Sequence, residues 1–252
     1  MPFTFSHPAA ALPIWPLVRR GVIPLAPFAI GAMAPDFEYL FRLEPVSLIS
    51  HSARGLVVFC FPVALVTWLL WELFLRPAGR DLAALPAIAV PQRRALDWAM
   101  GGVALLVGSA SHLVWDAFTH RYTWVADRWP LLREVAFSIG GEQVAWFTVF
   151  QHVSTVLGGV LVLAWLAREI RAGGATLAAL VAPSRLRTWA ALGAAAVAVG
   201  AWNAPRRGHI VHPRRAPVVA GRFVVGAMDG MAVAFVVLAA RRRWWGETGH
   251  RS

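Results

Sequence analysis

Residues 55–75 read GLVVFCFPVALVTWLLWELFL, and this stretch decides the fold class. About twenty consecutive apolar residues are what one α-helix needs to cross a bilayer core roughly 30 Å thick. Such a helix has no polar side to turn toward water, so it belongs in lipid or in a core. Four more stretches read the same way: Trp98 to Phe118, Val144 to Ala167, the Ala-rich Thr188 to Ala204, and Val218 to Ala240, which carries Arg222 and Asp229. The expected fold is all-α: a polytopic membrane helical bundle with about five transmembrane helices. Pro62 is expected to kink the first span. Val22 to Ala34 is too short to cross and is interrupted by Pro24 and Pro27. It is expected to form a re-entrant or interfacial helix packed on the bundle. Arg76 to Arg94 and Asn203 to Pro217 read as polar loops. The chain reads as one membrane domain over residues 1–252, with an N-terminal motif region (1–54), the bundle (55–240) and a polar tail (241–252).

Composition agrees. Of 252 residues, 58% are hydrophobic and 15% charged, and mean hydropathy is +0.58. A water-exposed domain carries about 25% charge, so lipid must cover part of this surface. Trp68, Trp71, Trp98, Trp115, Trp146, Trp165, Trp189 and Trp202 fall near segment ends, as an aromatic belt would. Net charge is +11, and all 24 basic residues are Arg, which suggests a GC-rich bacterial genome. The Arg residues sit in small groups between apolar runs. That pattern fits contact with anionic headgroups of membrane lipids and argues against nucleic acid as a partner. The expected location is the bacterial cytoplasmic (inner) membrane, multi-pass. The Arg distribution leans toward a cytoplasmic C-terminus. MPFTFSHPAA lacks the pattern of a secretory signal. The single cysteine, Cys60, excludes an internal disulfide and a thiolate metal cluster.

The second span ends in SHLVWDAFTH, which places His112, Asp116 and His120 at i, i+4 and i+8. At 3.6 residues per turn they stack on one helical face, a reasonable half of a divalent metal site. Topology brings others toward the same membrane face. His152, in FQHVST, lies about 12 Å into the third span, which starts there. His51, in ISHSARG, immediately precedes the first span. Asp36, in APDFEY, and His7, in FSHP, lie upstream on that side. Each taken alone has an ordinary explanation. A histidine in a membrane helix is often a hydrogen-bonded packing residue, Asp116 can pair with Arg54 or Arg121, and Asp36 after a proline can form an Asx-turn. His209, His212 and His250 look solvated.

The motifs MPFTFSHPAA, GAMAPDFEY, ISHS and SHLVWDAFTH together resemble a bacterial membrane family known only as domain of unknown function 4184, over nearly the whole chain. The order of His, Pro-Asp, His and His-x-x-x-Asp is also similar to that of membrane-bound metal-dependent hydrolases. More distantly it is similar to zinc-dependent phospholipase C, in which His and Asp of a helical bundle bind zinc. The resemblance implies metal ligation by His7, Asp36, His51, His112 and Asp116. His120 and His152 are added by the reading of the residues themselves. The His-x-x-x-Glu that the soluble phospholipases use is absent.

The function expected is a membrane-embedded metal-dependent hydrolase, with a divalent metal, zinc by preference, among these residues. Its substrate would be a lipid phosphoester or another membrane-anchored molecule. A metal-activated water would attack. Asp36 or Glu38 would be the general base, and Arg54 or Arg121 would hold a phosphate. Two non-enzymatic alternatives stand beside it. One is a transporter or proton/metal-handling protein using Asp229, Arg222 and His152. The other is a scaffold whose His and Asp residues only lock helices together.

Overall fold

A computed structural model describes residues 3–85, 95–206 and 215–248. His209, His212, His250 and residues 86–94 of the expected first loop lie outside the described residues. The principal helices are α1 (Leu25–Met33), α2 (Ala53–Leu82), α3 (Ala95–Thr119), α4 (Trp146–Ala172), α5 (Pro183–Asn203) and α6 (Arg215–Thr248). A short hairpin, β1 (Val135–Ile139) and β2 (Glu142–Ala145), separates α3 from α4.

Among the described residues, four helices are long and apolar enough to cross a membrane: Ala53–Leu82, Ala95–Thr119, Trp146–Ala172 and Pro217–Arg242. The chain therefore reads as an all-α membrane protein. The expected Thr188–Ala204 span is helical, as α5, but falls outside this set. Its alanines gain far less from leaving water than Leu, Val or Phe do. Arg76 to Leu82 is also helical rather than loop, because α2 runs on past its apolar core. Arg76 reaches back one turn to Glu72, with 3.0 Å between Nη1 and Oε2. Pro62 is absorbed by a π-helical stretch, Leu56–Cys60, just before it. There the Phe61 N–H bonds the Leu56 carbonyl, five residues back. Trp68 is fully buried and donates to Glu72 Oε1 (3.2 Å), so it is not a belt residue.

The chain divides into two compact units, interleaved in sequence. The first comprises Met1–Asp36, Ile49–Val66 and Arg93–Ala167. At its centre α1 packs directly on α3 through two glycines. A Cβ on Gly31 would strike the Leu105 backbone, and one on Gly108 would strike the backbone of Phe28 and Ala32. The short helix expected over Val22–Ala34 is thus real and lies against a span. Phe28, Ala32, Ala11 and Ala104 form the small core there. Ser109 ties the crossing by donating to the carbonyls of Gly31 and Leu105, both at 3.0 Å. Close approach at small residues with a hydroxyl across the joint is how helices associate in lipid, where hydrophobic force between them is weak.

The second unit comprises Phe37–Leu48, Thr67–Gln92 and Arg168–Ser252. Here α5 and α6 cross on Gly200, Gly226 and Gly230. Asn203, buried at that crossing, donates to the carbonyls of Leu43 (2.7 Å) and Arg222 (2.8 Å). Arg222 pairs with Glu44 at 3.0 Å, both buried. This partner lies 178 residues away in sequence.

Candidate metal centre

Four local devices in the first unit aim side chains at one point. The 3-10 turn Thr4–Ala11 sits on α4. Ser6 Oγ donates to Thr155 O (2.8 Å), the Phe3 N–H donates to Thr155 Oγ1 (3.1 Å), and Gly158 leaves room for the Ser6 backbone. This fixes His7. The chain then leaves α1 through the turn Ala34–Asp36, which buries Asp36. Before α2, Ser52 caps the helix by accepting from the Gly55 N–H (2.9 Å), while its own hydroxyl donates to Ile49 O (2.8 Å). This sets His51 just outside the helix. Finally, the glycine-mediated contact of α1 with α3 brings the Ala32 carbonyl to His112 Nδ1, at 2.8 Å.

That last bond decides a tautomer. A carbonyl only accepts, so His112 carries its proton on Nδ1 and turns Nε2 toward the cluster. His112 Nε2 then stands 3.3 Å from His51 Nε2, 3.3 Å from Asp116 Oδ2 and 3.6 Å from Asp36 Oδ1. His51 Nε2 is 3.4 Å from Asp116 Oδ2 and 3.7 Å from Asp36 Oδ1. His7 Nε2 is 3.7 Å from Asp116 Oδ1, and its ring stacks on that of His112 with centroids 3.7 Å apart.

These spacings are informative. Direct charge-assisted N–H···O bonds run about 2.7–2.9 Å. Two donor atoms on one tetrahedral zinc, each about 2.0–2.2 Å from it, stand about 3.3–3.6 Å apart. The observed separations match the second geometry. His7 Nε2, Asp36 Oδ1 and both carboxylate oxygens of Asp116 are buried with no hydrogen-bond partner. Buried polar atoms are rarely left this way, and four converging on one spot could together hold a cation. His7, His112 and Asp116, and likewise Asp36, His51 and His112, are close enough to ligate a metal as groups. The residues present therefore fit a divalent ion.

Electrostatics outside the spans point the same way. Burial lowers the His7 pKa to about 3, with the nearby His112 adding to the effect, so this ring is neutral, the form in which an imidazole ligates a metal. Burial raises the Asp36 pKa, with His112 opposing. Thr4 Oγ1 donates to Asp36 Oδ2 at 2.7 Å, which leaves Oδ1 turned inward. Ser50 Oγ lies 2.9 Å from His51 Nδ1 and steadies that ring. Such outer contacts orient ligands in metal sites.

The other expected residues are placed differently. His120 is at the rim, half-buried, with Nδ1 2.9 Å from the Asp116 carbonyl and 3.8 Å from Oδ2; burial lowers its pKa. His152 joins neither metal-ligand group among the described residues. Its helix carries it on a register that Thr155 and Gly158, not His152, present to the N-terminal turn. Glu38 is buried and accepts from Arg42 Nε (2.7 Å) and the Leu48 N–H (3.0 Å). Arg54 and Arg121 are exposed and form no ion pair with Asp36 or Asp116 among the described residues. Arg121 instead covers the Tyr122 ring at 5.6 Å. Thr4 and the Ala32 carbonyl are the participants that sequence reasoning missed. Thr4 lies inside the FTFSHP motif, whereas a backbone carbonyl leaves no sequence signal.

No curated protein and no solved structure matches the chain. Residues 1–240 match a family model described as a domain of unknown function, DUF4184, and the chain belongs to that family.

Proposed function

We propose that this protein is a membrane-embedded metal-dependent hydrolase, with zinc held by His51, His112 and Asp116, an open position left for water, and His7 and Asp36 beside them. The observation that carries the reading is that His7 Nε2, Asp36 Oδ1 and both Asp116 oxygens are buried without hydrogen-bond partners in a cluster spaced as metal ligands are. When bound, a divalent ion supplies Lewis acidity, both to a water and to a phosphoryl oxygen. The chain's own groups do the rest. His112 and His51 are held by Ala32 and Ser50 with their Nε2 atoms inward. Asp36, oriented by Thr4, is the general base, taking the water's proton on Oδ1. Glu38 is the less suitable base, since Arg42 and the Leu48 N–H already hold its Oε1. Exposed Arg54 or Arg121 are the groups available to a phosphate.

Asp116 lies about 4.5 Å, and His112 about 10 Å, from the end of α3 by helical rise. This depth suits a membrane lipid phosphoester in the bacterial inner membrane. The test is metal analysis of protein purified without chelator, beside His112→Ala and Asp116→Ala, with hydrolysis of a lipid phosphoester in mixed micelles. Stoichiometric zinc in the wild type and its loss in both variants, with loss of hydrolysis, is expected. Wild type without stoichiometric metal refutes the reading. Transport remains the rival, because Asp229 lies within an apolar span; proteoliposome flux abolished by Asp229→Asn, with no hydrolysis, would establish it.

A further inference from the structure

The connection between α3 and α4, residues 120–145, carries more outward apolar surface than a water-facing loop tolerates. Tyr122 is 85% exposed, Ile139 68%, and Trp124 and Trp129 58% each; Leu131 and Phe137 are about half exposed. The hairpin is amphipathic by construction. In its antiparallel register Phe137 opposes Val144 and Ile139 opposes Glu142, so Phe137, Ile139 and Val144 share one face, with the Glu142 carboxylate on it only at the turn end. Ser138 opposes Gln143 on the other. Gly140 and Gly141, both at positive φ, close the two-residue turn.

We infer that this hairpin and the aromatic turn before it lie in the bilayer leaflet that borders the His/Asp cluster, with phospholipid as the occupant of the exposed apolar face. Three observations favour lipid over a protein partner. First, β2 ends at Ala145 and the span α4 begins at the next residue, so the strand grows out of the membrane with no linker. The interfacial layer is roughly 5–8 Å deep, so the hairpin starts within it. Second, its apolar surface continues that of α4, whose Phe150 and Val153 are also exposed. Third, Arg128 and Arg121 cover the rings of Trp124 and Tyr122, at 5.9 and 5.6 Å. Aromatic rings with guanidinium groups above them suit the headgroup layer, where the ring meets acyl chain and the cation meets phosphate.

The immersed hairpin makes a lipid-facing margin in the same compact unit as the metal-ligand cluster. A substrate would enter sideways from that leaflet rather than from water. This consequence for substrate class rests on the proposed hydrolase, whereas the lipid contact itself does not.

The test is nitroxide labelling of the full chain in liposomes of phosphatidylethanolamine and phosphatidylglycerol. Cys60 is buried and is replaced (Cys60→Ser). Labels go separately on Phe137→Cys, Ile139→Cys and Ser138→Cys, all at exposed positions where folding tolerates a change. Collision rates with oxygen, which enriches in acyl chains, and with a water-soluble nickel chelate are compared. The oxygen-to-chelate ratio is expected to exceed one at Phe137 and Ile139 and to be lower at Ser138. Ratios at Phe137 and Ile139 no greater than at Ser138 overturn the inference. Since the readout is depth, a protein without metal or hydrolysis leaves the result intact, and a water-exposed hairpin leaves the metal site intact.

Discussion

Replacing Gly108 by alanine should damage the metal centre from a distance, without touching any ligand. Gly108 sits one helical turn before His112, and its Cβ position is filled by α1. An added Cβ would lie 2.8 Å from Ala32 N and 3.1 Å from Gly31 C, and closer still to Phe28 O. Those are backbone atoms and cannot rotate away. Ordinary contact begins at 3.4 Å, so the Ala32 contact alone requires α1 to retreat by about 0.6 Å, and the closer Phe28 carbonyl requires more. Ala32 moves with it, and its 2.8 Å bond to His112 Nδ1 lengthens to about 3.4 Å, beyond good hydrogen-bond geometry. The overpacking should cost about 1–3 kcal/mol of stability. Loss of an orienting contact to a ligating histidine typically lowers metal affinity about 10–100-fold. The assay is zinc affinity by chelator competition on detergent-purified protein, with thermal unfolding alongside. Gly102→Ala on the same helix is the control. Its Cβ would meet only the Phe61 ring at 3.8 Å, so it should be neutral or stabilising by up to about 1 kcal/mol through helix propensity. If Gly108→Ala binds zinc as tightly as wild type and unfolds at the same temperature, the link from helix packing to the site is refuted.

Thr4→Val should keep the fold and the metal but lower hydrolysis by about tenfold or more, because the Asp36 base loses its 2.7 Å donor on Oδ2; the mixed-micelle assay measures it. Glu44→Gln should lower stability by about 3–5 kcal/mol, since it strands the buried Arg222 guanidinium, yet leave metal content at wild type by elemental analysis. For the metal-free protein, His7 has a folded pKa near 3 against an ordinary 6.5. The unfolded chain therefore binds the extra proton between those values, so the His7 contribution is complete above about pH 6.5 and is lost as pH falls toward 3. Asp36, shifted upward by burial, acts in the opposite sense, so the comparison must be with His7→Gln, which should flatten the acid-side decline in unfolding temperature.

Much of the framework was legible because lipid imposes a coarse rule. A span needs about twenty apolar residues whatever it packs against, so α2, α3, α4 and α6 could be read directly. The Ala-rich α5 could not be classed as securely, since alanine sits between the two solvents. The hairpin between the spans does carry a sequence signal, alternating VAFSI and EQVA around Gly140-Gly141.

Helical periodicity alone put His112, Asp116 and His120 on one stripe, because i, i+4, i+8 spacing is a property of the helix and needs no partner. It could not say which of the three face inward: His120, one residue past the end of α3, turns its Nδ1 to the Asp116 carbonyl instead. What only the tertiary structure decided was the meeting of His7, Asp36 and His51 with that stripe, the Ala32 carbonyl that fixes the His112 tautomer, and the pairing of Glu44 with Arg222. The first two depend on how closely backbones approach at Gly31, Gly108 and Gly158. A glycine in a sequence announces room for contact but not the partner, since contacts between residues 80 or 178 apart are chosen by the packing of the whole chain.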